Sequence, residues 1–175
     1  LPDYTGAEVL LRSTYFSHVL RLIHKQYAGE TQKVLLRLYG EQIDLLNLIH
    51  ILRLKAYFPD QPCLGVLFPF NYRLRPDMIR TLCQAPDVSA VFELLRATPY
   101  AGSFENVQVT EVEDYYRRAL YTFCRRQLTG GQPSIYTAVA YLNLKEQEAR
   151  ALVTVIESVK YGAAYDDSFA RHIGA

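Results

Sequence analysis

From Tyr141 to Gly162 the chain reads "YLNLKEQEARALVTVIESVKYG", with apolar residues recurring at spacings of three and four. On a helical wheel of about 100° per residue, Tyr141, Leu144, Ala151, Leu152, Val155, Ile156 and Val159 share one face, and Glu146, Arg150, Glu157 and Lys160 gather opposite. Glu148 falls within the apolar face. A carboxylate buried there is costly unless it is paired or hydrogen-bonded, so the pattern predicts a structural acid with a dedicated partner.

The same spacing runs through most of the chain and strict alternation is nearly absent, which predicts an all-α fold. A first helix is expected from Ala7 to Tyr27, stopping at Gly29. A second, capped by Thr31 and interrupted at Gly40, runs to Pro59. The following connector holds Pro59, Pro62, Gly65, Pro69 and Pro76 and cannot continue as helix. It leads into two short helices, Pro76 to Gln84 and Asp87 to Ala97. Thr110 and Glu113 have capping-box spacing ahead of "DYYRRALYTFCRRQL", predicting a long helix that ends near Gly130. Pro133 suits the first turn of a short helix, the stretch quoted first carries the last long one, and Asp166 or Asp167 would cap a final turn, "SFARHI".

The two long segments echo each other at an offset of 104 residues, with Leu38 over Leu142, Asp44 over Glu148, Leu48 over Leu152, Ile51 over Val155, Leu52 over Ile156 and Tyr57 over Tyr161. This register predicts two related helical units, 1–105 and 106–175, each with an acid at the same depth. Asp44 and Glu148 are therefore expected to be structural buried acids, bonded to a neighbouring helix end or to a basic side chain. Lys145 is the nearest base to Glu148, and Arg37 or Lys55 share a face with Asp44. The competing reading, a carboxylate with a raised pKa acting in catalysis or proton transfer, lacks a second catalytic group at a telling distance.

Composition narrows the function classes. Half of the 175 residues are hydrophobic, enough for a substantial core, and 19 basic against 18 acidic side chains leave a formal charge of +1. That balance argues against nucleic acid or an anionic membrane surface as the partner. Cys63, Cys83 and Cys124 are odd in number and widely spaced, and read as reduced cytosolic thiols. No apolar run approaches the ~20 residues needed to cross a bilayer, and no signal-peptide pattern is seen. The absence of an initiator Met, together with an opening almost directly on a helix, reads as a piece of a longer protein.

The chemistry of the common enzymes is missing. His18, His24, His50 and His172 form neither an i, i+4 pair nor HExxH, and there is no phosphate loop, dinucleotide fingerprint or nucleophile elbow. No catalytic, cofactor-binding or metal residues are assigned. "YYRRALYTFCRRQ" does place Arg118 and Arg125, seven apart, on one helix face beside Tyr121. The simplest reading is a solvated face; an acidic protein partner comes next and nucleic acid last, and these three are the interface candidates. Fourteen tyrosines and no tryptophan suit core edges and interfaces alike.

Three stretches resemble one family, the central-stalk subunit called C in bacterial and archaeal V/A-type ATPases and d in eukaryotic V-ATPases. They are "IDLLNLIHILRLKAY" (Ile43 to Tyr57), "LFPFNYRLRPDMIRTLCQAPDVSAVFELLRATPY" (Leu67 to Tyr100) and "PSIYTAVAYLNLKEQEARALVTVI" (Pro133 to Ile156). The resemblance implies a funnel of three related helical units, of which this chain would be the last two. It also implies a subunit without catalytic residues or cofactors, cytoplasmic and peripheral at the membrane, which links the rotor axle to the proteolipid ring and transmits torque. A helical-repeat scaffold of another complex is the alternative.

Overall fold

The computed structural model describes residues 4–104, 108–130 and 132–162. Among them the chain forms six α-helices and no strand: α1 (Tyr4–Gln26), α2 (Gly29–Tyr57), α3 (Pro76–Gln84), α4 (Val88–Leu95), α5 (Val112–Gly130) and α6 (Ile135–Tyr161). The all-α expectation holds. The chain divides into two compact units, Leu1–Tyr116 and Arg117–Ala175, with the division inside α5.

Several helix ends follow local rules. Pro76 occupies the first turn of α3, where its missing N–H is no loss. Asp87 caps α4 by accepting from the Ala90 amide at 2.8 Å. Gly162, at φ +62°, ends α6 in the left-handed conformation that glycine adopts without penalty.

Four expectations are corrected. Helix α2 begins at Gly29, two residues before Thr31, because Gly29 at φ +61° turns the chain sharply after α1. The Gln32 side chain closes this corner by donating to the Tyr27 carbonyl at 2.7 Å. Gly40 does not interrupt α2, which is continuous to Tyr57. The capping box lies at Gln108 and Glu111 and not at Thr110 and Glu113, since Glu113 is drawn to Arg53 on α2 at 2.8 Å. The short helix at Pro133 and the last long helix are one element, α6, which starts after Ser134. The expected turn at 168–173 lies outside the described residues.

The core of the first unit is organised by α2. Leu48, Ile51 and Leu52 have no exposed surface, and Leu74, Leu82, Val91 and Leu95 from the connector, α3 and α4 are equally buried. Phe16 of α1, Ile43 of α2 and Phe68 of the connector form an apolar cluster, with the Phe16 and Phe68 rings edge to face at 5.4 Å. A 3-10 turn at Cys63–Val66 contacts α1, α2 and α3. The start of α5 is held to the same unit by Gln42, which donates to the Tyr116 hydroxyl at 2.7 Å, and by the Phe104 and Tyr115 rings.

In the second unit Cys124, Tyr136, Ala140 and Gln147 are buried. The long apolar face of α6 is not. Leu152, Ile156 and Val159 are 58%, 64% and 79% exposed, while Leu144, Ala151 and Val155 of the same stripe are half-buried.

Candidate functional site

The most constrained polar arrangement lies on the buried face of α2. Asp44 has no exposed surface, and its carboxylate accepts four hydrogen bonds. Oδ1 takes the Tyr72 amide at 2.9 Å; Oδ2 takes the Arg73 amide at 2.7 Å, the Leu74 amide at 3.0 Å and the Tyr100 hydroxyl at 2.9 Å. Three consecutive backbone N–H groups thus converge on one carboxylate, the arrangement that most favours an anion without a cationic partner. Neither of the bases expected for Asp44, Arg37 or Lys55, is among these four donors, and Arg37 pairs with Glu41 at 3.0 Å.

One turn further along α2, Asn47 grips the same connector. Its Oδ1 accepts from the Phe68 amide at 2.8 Å, and its Nδ2 donates to the carbonyls of Phe68 at 3.2 Å and Phe70 at 3.3 Å. Pro69 fits this geometry because the residue before a proline is biased to extended backbone, which presents both peptide groups of Phe68 sideways. Gly40, one turn before Asp44, lets the connector come close. A Cβ at that position would lie 2.4 Å from the Tyr72 Cγ, so only glycine admits the ring there. Gly40, Asp44 and Asn47 together form one docking strip on α2.

The fourth donor arrives from beyond α4. The Thr98 hydroxyl donates to the Leu95 carbonyl at 2.7 Å and accepts from the Tyr100 amide at 3.2 Å, a local turn that aims the Tyr100 ring inward. Burial, followed by the neighbouring Asp44 charge, raises the pKa of Tyr100 well above its ordinary value, so it stays a donor. The Arg73 guanidinium lies 5.9 Å from the centre of the Tyr100 ring and 3.6 Å from Glu41, over the outer edge of the clamp. One carboxylate therefore fastens three chain segments: α2, the connector and the turn after α4.

Glu148 is in different surroundings. Its side chain is 47% exposed and pairs with Lys145 at 2.6 Å along the same helix. The expected partner is present but the expected burial is not: Tyr141 and Leu152 on the same face are themselves 50% and 58% exposed. The hydrogen bond to Glu148 raises the pKa of Lys145. An exposed i, i+3 pair adds little, so Glu148→Ala is expected to change stability by at most about 0.5 kcal/mol. Urea denaturation midpoints of the two proteins would check this.

The remaining residues singled out from the sequence lie on α5, where Arg118 and Arg125 are exposed and Tyr121 is half-buried. Among the described residues no three His, Cys, Asp or Glu side chains group as a metal site would require. No helix among the described residues is long and apolar enough to cross a membrane.

Comparison with known families decides the class. The family model for the ATP synthase (C/AC39) subunit matches residues 3–167. The chain belongs to this family. It is thereby a subunit of the V/A-type ATPase or ATP synthase class. No curated protein and no solved structure matches it. Within this C/AC39 chain the clamp draws on two of the stretches that carry the sequence resemblance, Asp44 and Asn47 from one, the Phe68 to Leu74 connector and Tyr100 from the other. The sequence reading named Asp44 but missed Asn47, Gly40 and Tyr100. The available signals were an asparagine three residues after the acid in an otherwise aliphatic run, and a glycine four before it.

Proposed function

We propose that this C/AC39 subunit is a non-catalytic adaptor that links the central rotor axle to the membrane proteolipid ring and passes torque between them during proton or sodium transport. The observation that carries the reading is the family match over nearly the whole chain. The clamp is consistent with it: transmission of a mechanical load requires a body that does not yield, and buried hydrogen bonds between distant segments stiffen one. In this reading the subunit sits on the cytoplasmic side, touches the membrane only through the ring, and the units at 1–105 and 106–175 are variants of one helical design. No cofactor and no nucleic acid take part.

The axle or the ring would have to be recognised by exposed side chains, and the charged stripe of α5 with Tyr121 beside it is our choice. If Arg118 and Arg125 meet an acidic partner, reversing both to Glu should slow association by roughly tenfold or more and weaken its salt dependence, with the helical content unchanged. Association kinetics of the full-length protein with the purified axle and ring subunits, at two ionic strengths, would measure it. Unchanged assembly of the double variant would remove this patch from the interface. Nucleotide hydrolysis by the purified subunit alone would overturn the adaptor reading itself.

A further inference from the structure

The three cysteines look unrelated in the sequence, but the fold brings two of them together. Cys63 lies in the 3-10 turn that follows α2, and Cys83 lies in the last turn of α3. The Cys83 thiol donates to the Cys63 sulfur across 2.8 Å. Cys63 is buried and Cys83 is half-exposed, so solvent reaches the pair from one side. Cys124 is buried elsewhere, on α5 in the other compact unit.

We propose that Cys63 and Cys83 form an oxidisable dithiol, a modification site at which a hydroperoxide closes a disulfide between the connector and α3. The sulfurs need to approach by only about 0.8 Å to reach bonding distance. The loop so closed, residues 63–83, contains the stretch from Phe68 to Leu74 that Asn47 and Asp44 hold, so oxidation would add a covalent tie to the hydrogen-bonded clamp. The Cys83 hydrogen bond, opposed by burial and aided by the Lys55 charge, lowers the pKa of Cys63, while Cys83 is the more accessible of the two sulfurs, so the first attack is open to either. Burial pushes the Cys124 thiol up to about 12, and it has no thiol neighbour among the described residues.

The chemistry is balanced. The thiolate of one of the two attacks an oxygen of hydrogen peroxide; the S–O bond forms, the O–O bond breaks, and the leaving hydroxide takes up the proton that this thiol released, as water. The other sulfur of the pair then attacks the sulfenic sulfur. The S–S bond forms, the S–O bond breaks, and hydroxide leaves with the proton of that second thiol as a second water. The two thiols lose two electrons in total and the peroxide gains them.

The test is to treat the purified chain with hydrogen peroxide, then count thiols after denaturation and map the peptides by mass. The expected result is a fall from three free thiols to one, with the Cys63 and Cys83 peptides joined and about 2 Da lighter than their sum, reversed by dithiothreitol. Cys124→Ser should leave the cross-link intact. Peroxide that leaves all three thiols free would overturn the proposal, as would conversion to sulfinic acid without a cross-link, or a bridge between two chains.

Discussion

Asp44→Ala is expected to lower the stability of the first unit by about 3–5 kcal/mol, the largest effect of any single change in this chain. The substitution removes the acceptor shared by the amides of Tyr72, Arg73 and Leu74 and the Tyr100 hydroxyl, and it does so at a position with no exposed surface. The loss exceeds the worth of the bonds themselves, since each donor left buried without a partner carries its own desolvation cost. Asp44→Asn should rescue little. Its amide NH2 would face N–H donors at one of the two positions where an oxygen is required. Tyr100→Phe takes away one donor and leaves three satisfied, so its cost should be nearer ~1 kcal/mol. Urea titrations of the three variants, followed by hydrogen exchange at residues 72–74, would establish the order. Equal midpoints for Asp44→Ala and Tyr100→Phe would show that the three backbone bonds contribute nothing.

Asn47→Leu should come second, at about 2–4 kcal/mol. Leucine has the branched skeleton of asparagine but is bulkier, so no cavity opens; the Phe68 amide and carbonyl and the Phe70 carbonyl would lose their partner together, and methyl groups would be crowded where hydrogen bonds had allowed a closer approach. The connector would be freed at its first half and still be held by Asp44 at its second. This predicts faster hydrogen exchange at residue 68, with residues 72–74 changed much less. Asp44 and Asn47 hold one strand of chain, so the two losses should not add; the double variant should be less destabilised than the sum because the first release already slackens what the second one holds. A thermal midpoint for Asn47→Leu at or above that of the parent would mean that the apolar gain outweighs the three bonds.

Helical periodicity, proline positions and glycine stops are local properties, and they determined the all-α class, the two short helices after the connector and the end of the last long helix at Gly162 without help from the rest of the chain. The family was legible too, because its residues stand in order along the sequence. What the local pattern could not contain was the identity of the neighbour. Asp44 and Glu148 occupy the same register on the same kind of amphipathic wheel, yet one is sealed under the connector and the other lies half in solvent, because a stripe of apolar residues looks identical whether or not another segment covers it. For the same reason Gly40 read as a helix break until Tyr72 was found against it, and Cys63 and Cys83 read as separate thiols until α3 folded back beside the turn after α2. Each of these depends on contacts between residues 20 to 56 positions apart, and the free energy that decides them resides in the packing of those distant segments, where no window of local sequence can show it.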